Sequence, residues 1–132
     1  MKHTLLIITA LMLIVGCSSD PIDGSTLVRK DGLYYASDAN EPYSGVAVWY
    51  HENGQKSDER TYKDGKEDGL WTGWYKNGQK SYEETYKDGE LIEETWYHEN
   101  GQKRSVTTYK NGELIEETYW DEDGNVYLRQ DQ

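Results

Sequence analysis

The sequence predicts an all-β protein, built as an elongated single-layer antiparallel sheet of tandem β-hairpins that follows an N-terminal signal peptide. Three observations carry this reading. Asn-Gly or Asp-Gly pairs recur in two interleaved series, one ending at Gly54, Gly78, Gly101 and Gly124, the other at Gly65, Gly89 and Gly112. Within each series the step is about 23 residues, the length of one supersecondary unit in a repeat protein. Such pairs favour type I′ turns, which need φ > 0 at both central residues and match the twist of a two-stranded ribbon. The third observation is the aromatic content. Beyond Cys17 there are only 14 Ile, Leu and Val, but 12 Tyr and 5 Trp with no Phe. Tyr and Trp combine large buried area with a polar tip that stays wet, which suits the half-buried faces of a thin sheet.

Residues 1–16 read as a signal segment. Lys2 gives a positive start, and Leu5 to Val15 is an apolar run too short to span a bilayer comfortably. The run ends at Ile14-Val15-Gly16-Cys17, which resembles a bacterial lipobox rather than the Ala-x-Ala-like site of a plain signal peptide. Cys17 is the single cysteine, so it is the expected lipidation site and no disulfide is expected. Each buried methylene of an acyl chain contributes about 0.8 kcal/mol of membrane binding. The expected location is therefore the cell envelope, with the chain held to the membrane through Cys17. Ser18 follows the cysteine, with no Asp at that position; by the lipoprotein sorting pattern this fits the outer membrane of a Gram-negative cell.

Residues 17–28 are rich in turn formers and read as a flexible tether. The repeat domain is expected over 29–132. Its strand candidates are 33–36, 46–51, 56–62, 70–75, 80–86, 91–98, 103–109, 114–121 and 126–129, each short and bounded by a turn signal. No stretch holds a helical period over a dozen residues. The units align closely. Trp49 to Lys56 matches Trp96 to Lys103, Trp74 to Lys80 is the same element one residue shorter, and Glu90 to Thr95 recurs identically as Glu113 to Thr118.

With two-residue turns throughout, Tyr75 faces Lys80, Lys80 faces Tyr97, Tyr97 faces Arg104 and Arg104 faces Tyr119. The expected product is a cation–aromatic stripe Tyr75–Lys80–Tyr97–Arg104–Tyr119, with Trp74, Trp96 and Tyr109 on the opposite face. Each such contact contributes about 0.5–1 kcal/mol. The same register sets Glu84 opposite Glu93 and Glu83 opposite Glu94. Like charges directly opposed destabilise a sheet, so these four acids are candidates for a cationic partner, against the plainer reading of a solvated acidic face. Trp49, Trp74, Tyr75, Trp96, Tyr97 and Tyr119 are candidate contact residues, against the plainer reading that their rings hold strands together.

The motif Trp/Tyr-Tyr-x-x-Asn-Gly-Gln-Lys, then Tyr-Lys-Asp/Asn-Gly, then Gly69-Leu70-Trp71-Thr72-Gly73-Trp74-Tyr75 resembles the MORN repeat variant family, whose bacterial members include YwqK-type antitoxin proteins. The opening Asp31-Gly32-Leu33-Tyr34-Tyr35 and Glu41-Pro42-Tyr43-Ser44-Gly45 are similar to the start of such proteins. The resemblance covers roughly residues 29–128 and implies serial hairpins that bind other molecules. Later repeats depart from it, replacing the Gly-x-x-x-Gly spacing of Gly65 to Gly73 with Glu-Leu-Ile-Glu-Glu-Thr.

Chemistry of other kinds finds little support. The formal net charge is −11, and −12 once residues 1–16 and Lys2 are removed, which repels nucleic acid and attracts cationic partners. His51 and His98 occupy the same place in two repeats and read as strand-end surface residues. Asp121-Glu122-Asp123-Gly124-Asn125 starts like a calcium loop, but it lacks the later bidentate Glu and aligns with a hairpin turn. No catalytic residue, metal site or cofactor is expected. The functional expectation is a non-catalytic, lipid-anchored envelope protein whose repeat sheet binds another protein. Two alternatives remain: an antitoxin or immunity protein neutralising a toxin, and a glycan-binding module. The last draws on exposed aromatics and on the run Gly73 to Gly78, which is similar to cell-wall-binding repeats.

Overall fold

The computed structural model describes residues 20–128. Residues 1–16, Cys17 and the last residue of the 126–129 strand candidate lie outside the described residues. The strands are β1 (Ile22–Asp23), β2 (Val28–Lys30), β3 (Leu33–Tyr35), β4 (Gly45–Tyr50), β5 (Lys56–Lys63), β6 (Lys66–Trp74), β7 (Lys80–Lys87), β8 (Glu90–Tyr97), β9 (Lys103–Lys110), β10 (Glu113–Trp120) and β11 (Val126–Tyr127). From β4 to β11 each strand pairs antiparallel with the next, in one open nine-stranded sheet that β1 completes at the far edge. A 3₁₀ turn, Gly24–Thr26, follows β1.

Two departures from the expected tether are clear. Ile22–Asp23 pair with Ala47–Val48 of β4 in parallel, which makes the sheet mixed. Residues 22–28 are therefore part of the fold and not a flexible tether. The β2–β3 hairpin is a separate two-stranded unit clipped to the first repeat by the backbone bonds Tyr34 N–Gly65 O and Tyr43 N–Tyr34 O, both 2.8 Å.

The Asn/Asp-Gly pairs make two kinds of turn, where one kind was expected. Asp64-Gly65, with φ of 50° and 76°, stands for the series that includes residues 88–89 and 111–112; this is the type I′ geometry. In the other series only the glycine is left-handed, as at Gly101 with φ of 86°. There His98 N bonds Gln102 O at 2.8 Å and Gly101 N bonds His98 O at 2.9 Å, so the loop has three residues, a type I turn closed by a left-handed glycine. The two kinds alternate, one along each long margin of the sheet.

Register follows from this. Three of the four three-residue loops, at Gly54, Gly78 and Gly101, are accompanied by shifts at Trp49/Tyr50, Gly73/Trp74 and Trp96/Tyr97 that leave Ser57, Ser81 and Arg104 outside the pairing; the loop at Gly124 has none. On the other margin, Ile92 and Ile115 are left out in the same way. Each bulge carries one extra residue, and a one-residue slip moves side chains to the other face. The expected pairs are corrected accordingly. Lys80 faces Trp74, Lys103 faces Tyr97, Ser105 faces Tyr119, Glu84 faces Glu94, and Glu83 faces Thr95. The expected stripe gives way to the outer-face pairs Tyr50–Lys56, Trp74–Lys80 and Tyr97–Lys103, with Lys56 Nζ 5.4 Å from the Trp74 ring centroid. Trp96 and Tyr109 lie on the other face, so Trp74 does not share a face with them.

The core sits on one side, called here the inner face. Ala47, Tyr62 and Trp71 are buried, packed by Ile22, Leu27, Tyr34, Tyr43, Trp49 and Tyr86. Rings run along it with centroid spacings of 4.9 Å for Tyr34–Tyr62, 5.4 Å for Tyr62–Trp71 and 4.6 Å for Trp71–Tyr86. The Trp49 ring lies flat on Gly24, where a Cβ would approach to 2.1 Å. Residues 22–43 thus cover the inner face over β4–β6 and stop there.

Candidate functional site

Strand alternation puts two rows of side chains on the inner face. One runs Ala47–Arg60–Trp71–Glu84–Glu94–Thr107–Glu117 and its neighbour Trp49–Asp58–Gly73–Tyr82–Trp96–Ser105–Tyr119–Tyr127. Over β4–β6 the rows enclose a cation. The Arg60 guanidinium carbon lies 4.7 Å from the Trp49 ring and 4.7 Å from the Trp71 ring. It bonds Asp58 Oδ1 at 3.1 Å, and Tyr82 donates to the same oxygen at 2.5 Å. Burial alone would raise the Asp58 carboxyl, but the Tyr82 and Arg60 hydrogen bonds outweigh it and hold it low. The Tyr82 ring lies against Gly73, where a Cβ would come within 2.1 Å.

Over β7–β10 the same rows are uncovered and acidic. Glu84 and Glu94 face each other across β7 and β8. Burial, with a contribution from the Glu94 charge, raises the Glu84 carboxyl above its ordinary value, although Tyr86 OH donates to it at 3.1 Å. Glu94 accepts from Tyr109 OH at 2.7 Å and from the Trp96 indole N–H at 3.3 Å. Tyr119 OH donates to Glu117. The Glu94 bond, with burial second, pushes Tyr109 up to about 12. A trough of about 400 Å³ opens between β8 and β11, lined by Glu94, Trp96, Arg104, Ser105, Thr107, Glu117, Tyr119 and Tyr127.

The candidate residues from the sequence are divided by this geometry. Glu84, Glu94, Trp96 and Tyr119 share the uncovered inner face. Trp49 is on that face too, but under the 3₁₀ turn and against Arg60. Trp74, Glu83, Glu93 and Tyr97 are on the outer face. Glu83 there is engaged by Lys80 and by Tyr97 OH, each at 2.5 Å. Burial would raise its carboxyl, but the Lys80 and Tyr97 bonds outweigh it and lower it. Tyr75 lies at the three-residue-loop margin and donates to Tyr97 O at 2.7 Å. Sequence reasoning placed Tyr109 beside Trp96 without making it a contact candidate, and missed Glu117 and Tyr127; the recurrence of Glu-Leu-Ile-Glu-Glu-Thr in β10 was the available signal for Glu117.

The histidines serve the repeat stacking. His51 Nε2 bonds Trp74 O at 2.8 Å and His98 Nε2 bonds Trp120 O at 2.9 Å, with Tyr75 OH in the equivalent role between them. Both histidines are half-buried, which corrects the surface reading. Asp121 closes a turn by accepting from Asp123 N at 3.0 Å and Asn125 N at 2.8 Å. Among the described residues no group of three or more His, Cys, Asp or Glu side chains is placed to hold a metal ion, and no helix is long and apolar enough to cross a membrane.

Three tandem stretches, residues 43–64, 67–88 and 91–111, match the MORN repeat variant. They correspond to the hairpins β4–β5, β6–β7 and β8–β9. No curated protein matches the chain.

Proposed function

The chain belongs to the MORN repeat variant family, and from that premise we propose that it is a non-catalytic binding protein of the cell envelope, tied to the membrane by lipid at Cys17. Its uncovered inner face over β7–β10 docks another protein with basic character. One observation carries the reading: residues 22–43 cover the inner face only as far as β6, and the acids and rings are left open beyond it. Glu84 faces Glu94 directly, an arrangement that costs stability in isolation and is relieved by a cation. The overall charge of −12 for the chain from Cys17 onward steers such a partner toward it.

The test uses the full chain with two charge variants. Glu84→Gln/Glu94→Gln/Glu117→Gln empties the inner face of charge, whereas Glu93→Gln/Glu116→Gln makes the outer face less acidic. A partner captured from envelope extract by the wild type and the outer-face variant, but lost by the inner-face variant, supports the proposal. Equal capture by all three overturns it. Radiolabelled palmitate incorporation, abolished by Cys17→Ser, tests the anchor; incorporation unaffected by that change removes it.

A further inference from the structure

Asn-Gly pairs stand in the turns at 53–54, 77–78, 100–101 and 111–112. In such a pair the backbone nitrogen of the glycine can attack the Asn side-chain amide, because glycine carries no Cβ to obstruct the approach. The attack needs a glycine N–H that is not engaged and an Asn side chain able to turn onto it. In three of the four pairs both are tied down. Gly54, Gly78 and Gly101 donate to His51 O, Tyr75 O and His98 O, each at 2.9 Å. Oδ1 of Asn53, Asn77 and Asn100 accepts from the backbone N–H of Gln55, Gln79 and Gln102. Nδ2 of Asn77 and Asn100 also reaches the next repeat, donating to Glu99 O and Glu122 O.

Asn111-Gly112 belongs to the type I′ series, whose first two turns are pinned to the preceding repeat at two points each. Gly65 N donates to Tyr43 O and Gly89 N to Glu67 O, both at 2.8 Å. Asp64 N donates to Ser44 Oγ at 2.7 Å and Asp88 N to Asp68 Oδ2 at 3.1 Å. The same spacings back from Gly112 and Asn111 fall on Glu90 and Leu91. Leu91 stands where Ser44 and Asp68 stand, and its side chain has no acceptor, so that pin is lost. The Gly112 N–H makes no bond to Glu90 O either. Among the described residues neither the Gly112 N–H nor the Asn111 side chain has a hydrogen-bond partner. Both residues are exposed, and the space around the Gly112 Cα is open.

We propose that Asn111 is a site of spontaneous backbone modification, converting to isoaspartate through a succinimide, while the other three Asn-Gly pairs are protected by the fold. The Gly112 nitrogen gives up its proton and attacks Asn111 Cγ. The new N–Cγ bond forms, the Cγ–Nδ2 bond breaks, and ammonia leaves with the proton. Water then opens the ring at one of its two carbonyl carbons. Opening at the former side-chain carbon leaves aspartate; opening at the former main-chain carbon leaves isoaspartate, with the chain running through Cβ and a free carboxylate on Cα. Nothing is oxidised or reduced. The product adds one negative charge and one methylene to the main chain between β9 and β10. A two-residue type I′ turn has a fixed geometry that this extra atom breaks, so the β9–β10 pairing loosens. The site stands apart from the docking face and does not rest on it.

The test ages the full chain at mildly alkaline pH and follows each Asn-Gly pair by peptide mapping and mass spectrometry, with isoaspartate separated from aspartate by chromatography. Asn111 is expected to convert at least about tenfold faster than Asn77 and Asn100, whose hydrogen bonds must open first. In urea the four rates converge. Asp88→Asn places an Asn-Gly pair in a pinned type I′ turn, and conversion there stays slow. Asp88→Asn/Asp68→Leu copies the unpinned turn, and conversion at residue 88 becomes fast. Thermal unfolding confirms that the double variant folds; if it does not, the natural pairs and Asp88→Asn decide. Asn111 reacting no faster than Asn77 and Asn100, a rate difference that persists in urea, or Asp88→Asn reacting as fast as Asn111 overturns the proposal. Amide exchange in β10 is expected to quicken in the isoaspartyl form; unchanged exchange there overturns the loosening of the hairpin.

Discussion

Arg60 offers a direct measure of how this thin sheet stabilises itself, because its contributions can be separated. Two rings lie 4.7 Å from its guanidinium carbon; at a half-buried site each contributes about 1 kcal/mol. The bond to Asp58 at 3.1 Å is charge-assisted and contributes about 1.5 kcal/mol. Against these stands the buried Nε with no partner among the described residues, which costs about 1 kcal/mol. The balance is about 2.5 kcal/mol, so Arg60→Met, which keeps the apolar stem, lowers Tm by about 10–20 °C for a domain of this size. Arg60→Lys keeps the charge but not the flat stack, and falls between. The assay is urea and thermal unfolding followed by far-UV circular dichroism, with near-UV dichroism reporting the Trp49 and Trp71 environments. There is also an acid-side signature. Asp58 is held below its unfolded value, so its contribution is present above the unfolded pKa and lost as pH falls through the folded one. Arg60→Met shrinks that acid-side loss. A stability change below about 1 kcal/mol, or Arg60→Lys indistinguishable from wild type, refutes the assignment of the stack as a stabilising element.

Neighbouring acids give opposite signs. Glu83→Gln removes the partner of Lys80 and Tyr97 and costs about 0.5–1 kcal/mol at neutral pH, whereas Glu84→Gln relieves the repulsion with Glu94 and adds a few tenths of a kcal/mol; because the Glu84 carboxyl is raised on folding, its protonation stabilises the wild type at low pH and that gain is lost as pH rises through the folded value. Equal signs in chemical denaturation would show the register to be wrong. Gly65→Ala meets Cβ atoms of Leu33 and Pro42 at 2.9 Å with φ of 76°, whereas Gly112→Ala has the same φ and open space around it. The first is expected to cost about 3 kcal/mol and to release the β2–β3 hairpin in hydrogen exchange, the second about 1 kcal/mol without that release. His98→Leu removes the bond to Trp120 O and costs about 1 kcal/mol, seen as faster amide exchange confined to β10 and β11. Burial is the main cause that pushes Tyr62 and Tyr97 up to about 12. Their neutral forms therefore favour the fold below the ordinary phenol pKa of 10.0, and that stability is lost as pH rises from there to the folded values; absorbance at 295 nm and dichroism should change together above pH 10.

The hairpin architecture was legible because its signals are local. An Asn-Gly or Asp-Gly pair bends the chain with little regard to context, and every strand candidate between such pairs lies on a strand of the sheet. The cover formed by residues 22–43 was not legible. Ile22, Leu27 and Tyr34 carry no periodicity that marks them as packing on a distant sheet; they do so because the Trp49, Tyr62 and Trp71 rings need a second layer. Residues 22–28 look like a tether for the same reason that short edge strands do: two paired residues leave no pattern.

The division of the site residues between faces turned on something smaller. Asn100-Gly101 and Asp88-Gly89 read alike, yet the first sits in a three-residue loop and the second makes a type I′ turn. The difference lies after the glycine. The Gln102 backbone N–H finds the Asn100 side chain at 3.0 Å, and the corresponding bond is made at Gln79 and Gln55, which fixes the Asn in a right-handed conformation. In the other series the residue after glycine pairs at once across the turn, as Lys87 does with Glu90. The loops at Gly54, Gly78 and Gly101 are each followed by a bulge, at Ser57, Ser81 and Arg104, and that single extra residue decides which side Glu84 and Trp96 occupy. Without the one at Arg104, side chains along this stretch of β9 would exchange faces relative to β8, and Ser105 would no longer lie opposite Trp96. The position of one unpaired residue per repeat therefore separates an acidic outer face, neutralised by its own lysines at Lys56–Glu59 and Lys80–Glu83, from an inner face whose carboxylates over β7–β10 form no ion pair among the described residues.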